Sequence, residues 1–267
     1  MRHVKGGIIS SMIESLDKSE FILTLGKFGA QMLKEVVKEP KITGKGKFIL
    51  TRPLLADEEY VRRTLISAGE LATVCDQMVY AVEFLSGFRK RKTTSGGLVT
   101  RIDHLVYHLE NHFIRVGMIM DRALQLVNVV FRLGIPEQEC RFAVVALNEH
   151  VSRTQVAHCL NELNDILKPY RHPRHIIIHR RRYTDEDIEK IEPFYILEKS
   201  GKEEPDETAI FYPLAKRLTD REVRKRKAEL SNYNQMVFNQ VSKLFTELLP
   251  VFKENHAKLT AKDGLPG

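Results

Sequence analysis

Apolar residues recur along this chain in steps of three and four, and the helices they predict are long. Phe21, Leu25, Phe28, Met32 and Val36 mark a helix from about Lys18 to Glu39, which Pro40 stops. A polar, glycine-bearing connector, KITGKGKFILTRP, follows, with room for a short extended piece at Phe48 to Leu50. From Ala56 or Asp57, the residues Val61, Leu65, Ala68, Ala72, Cys75, Val79 and Val82 alternate steps of four and three, the seam of a helical bundle. The basic run FRKRKTTSGG ends that helix, and its glycines predict a turn into the next.

The third helix, about Leu98 to Leu133, repeats the seam through Leu98, Ile102, Leu105, Leu109, Phe113, Val116, Met120, Ala123, Val127 and Val130. Two long helices joined by a short turn pack antiparallel. After Gly134 and Pro136 come a shorter segment, Glu137 to Leu147, and a helix from about Ser152 to Leu167 with Val156, Cys159, Leu163 and Ile166 inward. Thr184 followed by Asp185, Glu186 and Asp187 reads as an N-cap with first-turn acids, opening a helix that runs to about Lys199. SGKEEPDE reads as a loop. A last long helix starts near Thr219 with Glu222 as its capping-box partner, turns Val237, Val241, Leu244, Leu248 and Val251 inward, and frays after about Lys258.

No strand alternation is long enough to carry a sheet, so the fold class is all-α: an up-and-down bundle of about four core helices with additional N- and C-terminal helices. The organisation expected is an N-terminal helix and connector over 1–56, a bundle over 57–199, and a loop and C-terminal helix over 200–267 packed on it, together one compact domain.

Composition narrows the class. With 43% hydrophobic residues in 267 the chain has material for a substantial core, which sets aside global disorder. The net charge of +7 is modest but unevenly placed, in basic runs at Arg89 to Lys92, Arg171 to Arg182 and Arg221 to Lys227. Such local charge suits nucleic acid, acidic protein surfaces or anionic lipid. Three cysteines, all in apolar-periodic stretches, make no disulfide framework and point to a reducing, cytoplasmic setting. No run approaches the roughly 18 to 20 apolar residues of a membrane span, and the start MRHVKGGIISS has no sustained signal-peptide apolar region, so no membrane partner is expected.

The densest charge is the stretch RHPRHIIIHRRR, five arginines and three histidines in the twelve residues Arg171 to Arg182, with no acidic side chain. Within it an Arg and a His stand in the order Arg174, polar His175, three isoleucines, His179. Spacing alone proves nothing, because chance supplies roughly two to three Arg and His pairs so separated. Arg101 with His108 and Arg153 with His158 are two others. Only the third pair sits in a cationic cluster and follows a proline. Pro173 suits the first position of a helix, which would put Arg174 and His175 in a first turn that attracts phosphate. Arg171, His175 and His179 would then recur at four-residue steps. The competing interpretation is a solvated basic turn anchored by Ile176 to Ile178, and three consecutive isoleucines also favour a strand.

Two further sets are weaker. His104, His108 and His112 fall at successive i, i+4 steps, and two such histidines can chelate a transition metal. No Glu-x-x-His or HExxH pair supports the idea, and a boundary stripe at a subunit interface is the better account of the row, so no metal or other cofactor is expected. Asp121 and Asn128 share one face of the third helix, where inter-helix hydrogen bonds are the commoner use.

HLENHFIRVGMIMDRALQLVNVVFRLGIP and, some forty residues on, YRHPRHIIIH together resemble the HEPN superfamily, nearest the bacterial branch in which an Asp- and Asn-bearing helix precedes an Arg-polar-xxx-His helix. The resemblance covers roughly Asp57 to Lys199 and leaves the first and last helices outside it. It implies a helical bundle that dimerises, with the motifs of two subunits meeting in a cleft, and metal-independent endoribonuclease activity in catalytic members. Arg174, His175 and His179 then take the motif positions, and Asp121 an upstream acidic one with Asn128 in support. Arg171, Arg180, Arg181 and Arg182 would hold the RNA backbone. The superfamily also holds non-catalytic modules that bind RNA, nucleotide or protein, and restrained toxins or defence effectors, which would add an antitoxin or regulatory protein to the partners.

Overall fold

The computed structural model describes residues 16–36, 52–94, 96–200 and 205–263. The elements are α1 (Glu20–Val36), α2 (Ala56–Phe84), a two-residue ladder of β1 (Arg91–Lys92) and β2 (Leu98–Val99), α3 (Arg101–Val130), α4 (Phe142–Ala146), α5 (Glu149–Ser152), α6 (Gln155–Leu167), α7 (Arg171–His179), α8 (Glu186–Ser200) and α9 (Pro205–Asp263). Short 3₁₀ turns precede α4 at Glu137–Glu139 and α7 at Lys168–Tyr170. The fold is an all-α helical bundle. Among the described residues no helix is long and apolar enough to cross a membrane. The extended piece expected at Phe48 to Leu50, the N-terminal start, and the end of the first helix at Glu39 lie outside the described residues.

The chain divides into two compact units. The first comprises residues 1–73, 119–166 and 237–267. In it, Tyr60 near the start of α2 donates its hydroxyl to the carbonyl of Val130 at the end of α3 (2.8 Å), and Glu70 further along α2 pairs with Arg122 (3.1 Å). Rising numbers on α2 thus meet falling numbers on α3, the antiparallel pairing expected of them. The seam is closed by rings: Phe21 of α1 lies 5.3 Å from Phe245, and Tyr60 stacks on Phe252 at 5.3 Å. Gly29 of α1 permits close approach to α2, because a β-carbon there would stand 2.5 Å from Leu65 Cδ1. Phe21, Leu25, Met32 and Val36 are buried as expected, and Phe28 packs edgewise on Phe252.

The second unit comprises residues 74–118 and 167–236. Its core joins Val82 and Leu85 of α2, Ile102, Leu105, Leu109 and Phe113 of α3, Ile188, Ile191 and Tyr195 of α8, and Ala215, Val223 and Leu230 of α9. Cys75, Cys140 and Cys159, distributed over both units, are buried free thiols.

Several local expectations change. α3 starts at Arg101 rather than Leu98, because Leu98 and Val99 pair with Lys92 and Arg91. Gly96 (φ 86°) supplies the left-handed turn, and Thr100 and Asp103 close a reciprocal cap, Thr100 N donating to Asp103 Oδ2 at 3.0 Å. The cap of α8 is Asp185, not Thr184: its Oδ1 accepts from the backbone N–H of Asp187 (3.1 Å) and Ile188 (3.0 Å). The last helix begins at Pro205, inside the stretch read as a loop, and extends to Asp263, past the expected fraying at Lys258. Thr219 is therefore mid-helix. It is fully buried, donates to the carbonyl of Ala215 (2.8 Å) and meets the hydroxyl of Tyr195 (2.8 Å), while Glu222 turns to Arg226 instead of serving a capping box. The spacing of Ala215, Thr219, Glu222 and Val223 carries the helical stripe through the supposed start.

Candidate functional site

α7 has little buried surface of its own, and its isoleucines decide how it sits. The hydrophobic run forms helix rather than strand. Ile177 packs against the core of the second unit, Ile176 is half-buried, and Ile178 is exposed, so one isoleucine anchors where three were expected. The helix opens at Arg171 and not at Pro173, which is its third residue. Arg171 N donates to the carbonyl of Lys168, so the first turn grows out of the preceding 3₁₀ turn. At the other end the N–H groups of Arg180 and Arg181 both reach the carbonyl of Ile176, at 2.9 and 3.1 Å.

With Ile177 turned to the core, His175 and His179 face solvent one turn apart, their ring centroids separated by 5.0 Å. Arg174 takes a different course. Its side chain runs across α3 at Gly117, where an added β-carbon would meet Arg174 Cδ at 2.0 Å and Nε at 2.3 Å. Nε is buried and has no hydrogen-bond partner, and the guanidinium makes no ion pair among the described residues. The two other Arg and His pairs of similar spacing are spent: Arg101 is paired with Asp220, Arg153 with Glu149 (3.2 Å), and His158 with Glu162 (3.5 Å).

The connector after α7 is tied down. Tyr183 N donates to Glu110 Oε1 of α3 (2.7 Å), and its hydroxyl donates to Asp185 Oδ2 (2.7 Å). Asp185 also meets Arg226 at 2.5 Å, and Arg226 in turn meets Glu222 at 2.5 Å. Arg182 is paired with Glu192, whereas the side chains of Arg180 and Arg181 are exposed without an ion pair among the described residues. Arg171, at the start of α7, is exposed as well.

The histidine row has other work. His104 Nε2 donates to the carbonyl of Phe84 (2.7 Å), and His112, fully buried, donates through Nε2 to Asn234 Oδ1 (2.8 Å). Burial pulls the imidazole of His112 down to about 4, and burial together with the neighbouring His104 does the same for His108. Among the described residues no group of three or more His, Cys, Asp and Glu is placed to hold a metal ion. Asn128 is likewise engaged, closing the turn after α3: its amide donates to the carbonyl of Ile135 (2.7 Å) and accepts from that residue's N–H (3.1 Å). Asp121 is exposed; burial, and after it the charges of Asp121 and Glu137, push the pKa of the Cys140 thiol up. Both belong to the first unit, the motif helix to the second.

Three participants had no legible motif. Gly117 offered one signal, a lone glycine inside a helical seam, which costs stability unless something approaches closely. Glu110 and Asn234 offered none, since their partners lie 73 and 122 residues away.

No curated protein and no solved structure matches the chain. The profile of a HEPN family, HEPN_Cthe2314-like, matches residues 70–249. The match starts inside α2 and continues past Lys199 to take in most of α9. Since the match covers more than half of the 267 residues, this chain belongs to the HEPN_Cthe2314-like family of HEPN domains.

Proposed function

We propose that the chain is a metal-independent endoribonuclease that cleaves RNA by attack of the ribose 2′-OH. The family generally includes ribonucleases and nucleotide-binding modules, and HEPN domains often dimerise and bind RNA. The observation that carries the reading is the state of α7: it bears a guanidinium with no ion pair among the described residues and two solvent-facing imidazoles, and has no acidic side chain.

In the reaction His179 accepts the 2′-OH proton as the 2′-oxygen bonds to phosphorus, and the bond to the 5′-oxygen breaks as that oxygen is protonated. The proton comes from His175 or from the His179 of a second copy. Arg174 stabilises the charge gathering on the non-bridging oxygens, and Arg180, Arg181 and Arg171 hold neighbouring phosphates. The products are a 2′,3′-cyclic phosphate and a 5′-hydroxyl. A homodimer with the two motifs in one cleft, a cytoplasmic setting and a restraining antitoxin or regulatory protein complete the proposal. Asp121 and Asn128 act in it as supports of the fold.

The test is incubation with single-stranded RNA, and with DNA of the same sequence, in EDTA. Parent chain should cut RNA and spare DNA. Arg174→Ala and His179→Ala should each lose about a hundredfold or more in rate. Equal cleavage by all three proteins, or cleavage only with added metal, overturns the mechanism. Salt-sensitive binding without any cleavage would identify a binding module instead.

A further inference from the structure

A second surface in the same unit has a chemistry of its own. Where α2 ends and α3 begins, six rings touch in succession. Tyr80 and Phe84 lie 6.4 Å apart between centroids, Phe84 and His108 5.8 Å, His108 and His104 4.5 Å, and His104 and Phe88 5.6 Å. Tyr107 stands edge-on to His108 at 5.1 Å. Core packing does not explain them, since Tyr107 is 63% exposed, Phe84 55% and Tyr80 44%. The hydrogen bond from His104 to the Phe84 carbonyl fixes the middle of the row. His108, held near 4 by burial and by His104, stays uncharged at neutral pH and presents a ring rather than a cation.

The occupant follows from what the row contains and what borders it. Among the described residues between Val74 and Met118, every exposed large hydrophobic side chain is aromatic: Tyr80, Phe84 and Tyr107. An aliphatic protein surface would be matched by leucines and isoleucines, which are absent from this exposed set. At its end, just past Phe88, Arg89 and Lys92 are exposed cations on the hairpin that leads into α3. Flat rings followed by exposed cations are a combination that binds single-stranded nucleic acid, bases stacking on the rings and phosphates meeting the cations.

We propose that the row from Tyr80 to Tyr107 is a stacking platform for unpaired bases of a single-stranded RNA, with Arg89 and Lys92 on its phosphates. It rests on RNA being the substrate, and adds to that reading a preference for unpaired over duplex RNA that α7 alone would not give.

The experiment uses the full chain carrying His179→Ala, so that RNA stays intact, with a fluorescein-labelled oligouridine strand and a duplex RNA of equal length followed by anisotropy. Tyr107→Ala and Phe84→Ala should each weaken binding of the single strand about tenfold, while Tyr107→Phe and Phe84→Tyr stay within about twofold of the parent. Duplex binding should be unchanged in all four. Alanine variants that bind the single strand like the parent overturn the platform, as does equal loss for duplex. So does a loss that tracks conversion to a smaller species in sedimentation, which marks the face as a contact between two copies. Cleavage by the parent chain is scored separately. A parent that cuts RNA while the alanine variants bind normally sinks the platform alone, and stacking-dependent binding by a parent that never cuts sinks the nuclease alone.

Discussion

Arg174 lies so close over Gly117 that a β-carbon there would stand 2.0 Å from Arg174 Cδ. The atoms met are Cδ, Nε and Cζ, the outer half of a flexible side chain, so the backbone need not move and Arg174 itself must give way. Gly117→Ala therefore forces Arg174 off α3. Alanine is the better helix former by about 1 kcal/mol, so the variant should unfold at the same or a higher denaturant concentration than the parent. RNA cleavage should nonetheless fall at least about tenfold, because an arginine that positions charge loses its effect when displaced. Gly69→Ala is the control: open space surrounds that position, so stability should rise without any change in rate. Unchanged cleavage by Gly117→Ala would separate Arg174's placement from activity.

His112 makes stability depend on pH in a definable window. Its folded-state value of about 4 lies below the ordinary value near 6.5, so the unfolded chain takes up a proton that the folded chain refuses. Stability should be full above about 6.5 and be lost as pH falls from there toward 4. By pH 5, before most carboxylates titrate, the loss should be about 2 kcal/mol. His112→Gln keeps a donor for Asn234 and has nothing to titrate. Urea unfolding at pH 7 and pH 5 should show the difference between the two conditions shrink in that variant.

Arg226 stands between Asp185, which caps α8, and Glu222, which is almost fully buried. Arg226→Ala leaves the almost fully buried Glu222 without its cation, while Asp185 keeps its backbone and Tyr183 donors, and should cost about 3 kcal/mol in urea unfolding. Arg226→Lys, a point charge without the planar fork, should recover only part of it. A loss within 1 kcal/mol of zero, roughly what an exposed ion pair contributes, would show the cluster to be a surface feature.

Arg180 and Arg181 should contribute salt-dependent binding. Replacing either by alanine should reduce the slope of log K against log salt for single-stranded RNA by about 0.7 for each phosphate that is no longer neutralised. Arg182→Ala should change that slope less, because its charge is already opposed by Glu192.

Periodicity made the helices legible because burial follows it: Leu105, Leu109, Phe113 and Val116 of α3 face inward as their spacing demands. Boundaries were less so. Thr219 and Glu222 form a plausible capping box in sequence, yet both lie inside a helix whose apolar stripe had begun at Ala215. The motif was legible as chemistry and ambiguous as location. Arg101 and Arg153 matched it in spacing though not in context, and Asp220 and Glu149 pair with them. Those partners lie 119 and 4 residues away, and only the nearer was within reach of a local pattern. The path of Arg174 over Gly117 depends on two helices meeting, which no spacing encodes.

The segment from Arg180 to Arg182 is pinned at both ends, by the carbonyl of Ile176 on one side and by Glu110 at Tyr183 on the other. Ordering a free backbone costs roughly 1 to 2 kcal/mol per residue. Here that ordering is complete before any ligand arrives, so an anion meeting these arginines has only side-chain rotamers to restrict. Association at this point should resemble docking onto a rigid bracket rather than folding around a guest, with a correspondingly small heat-capacity change.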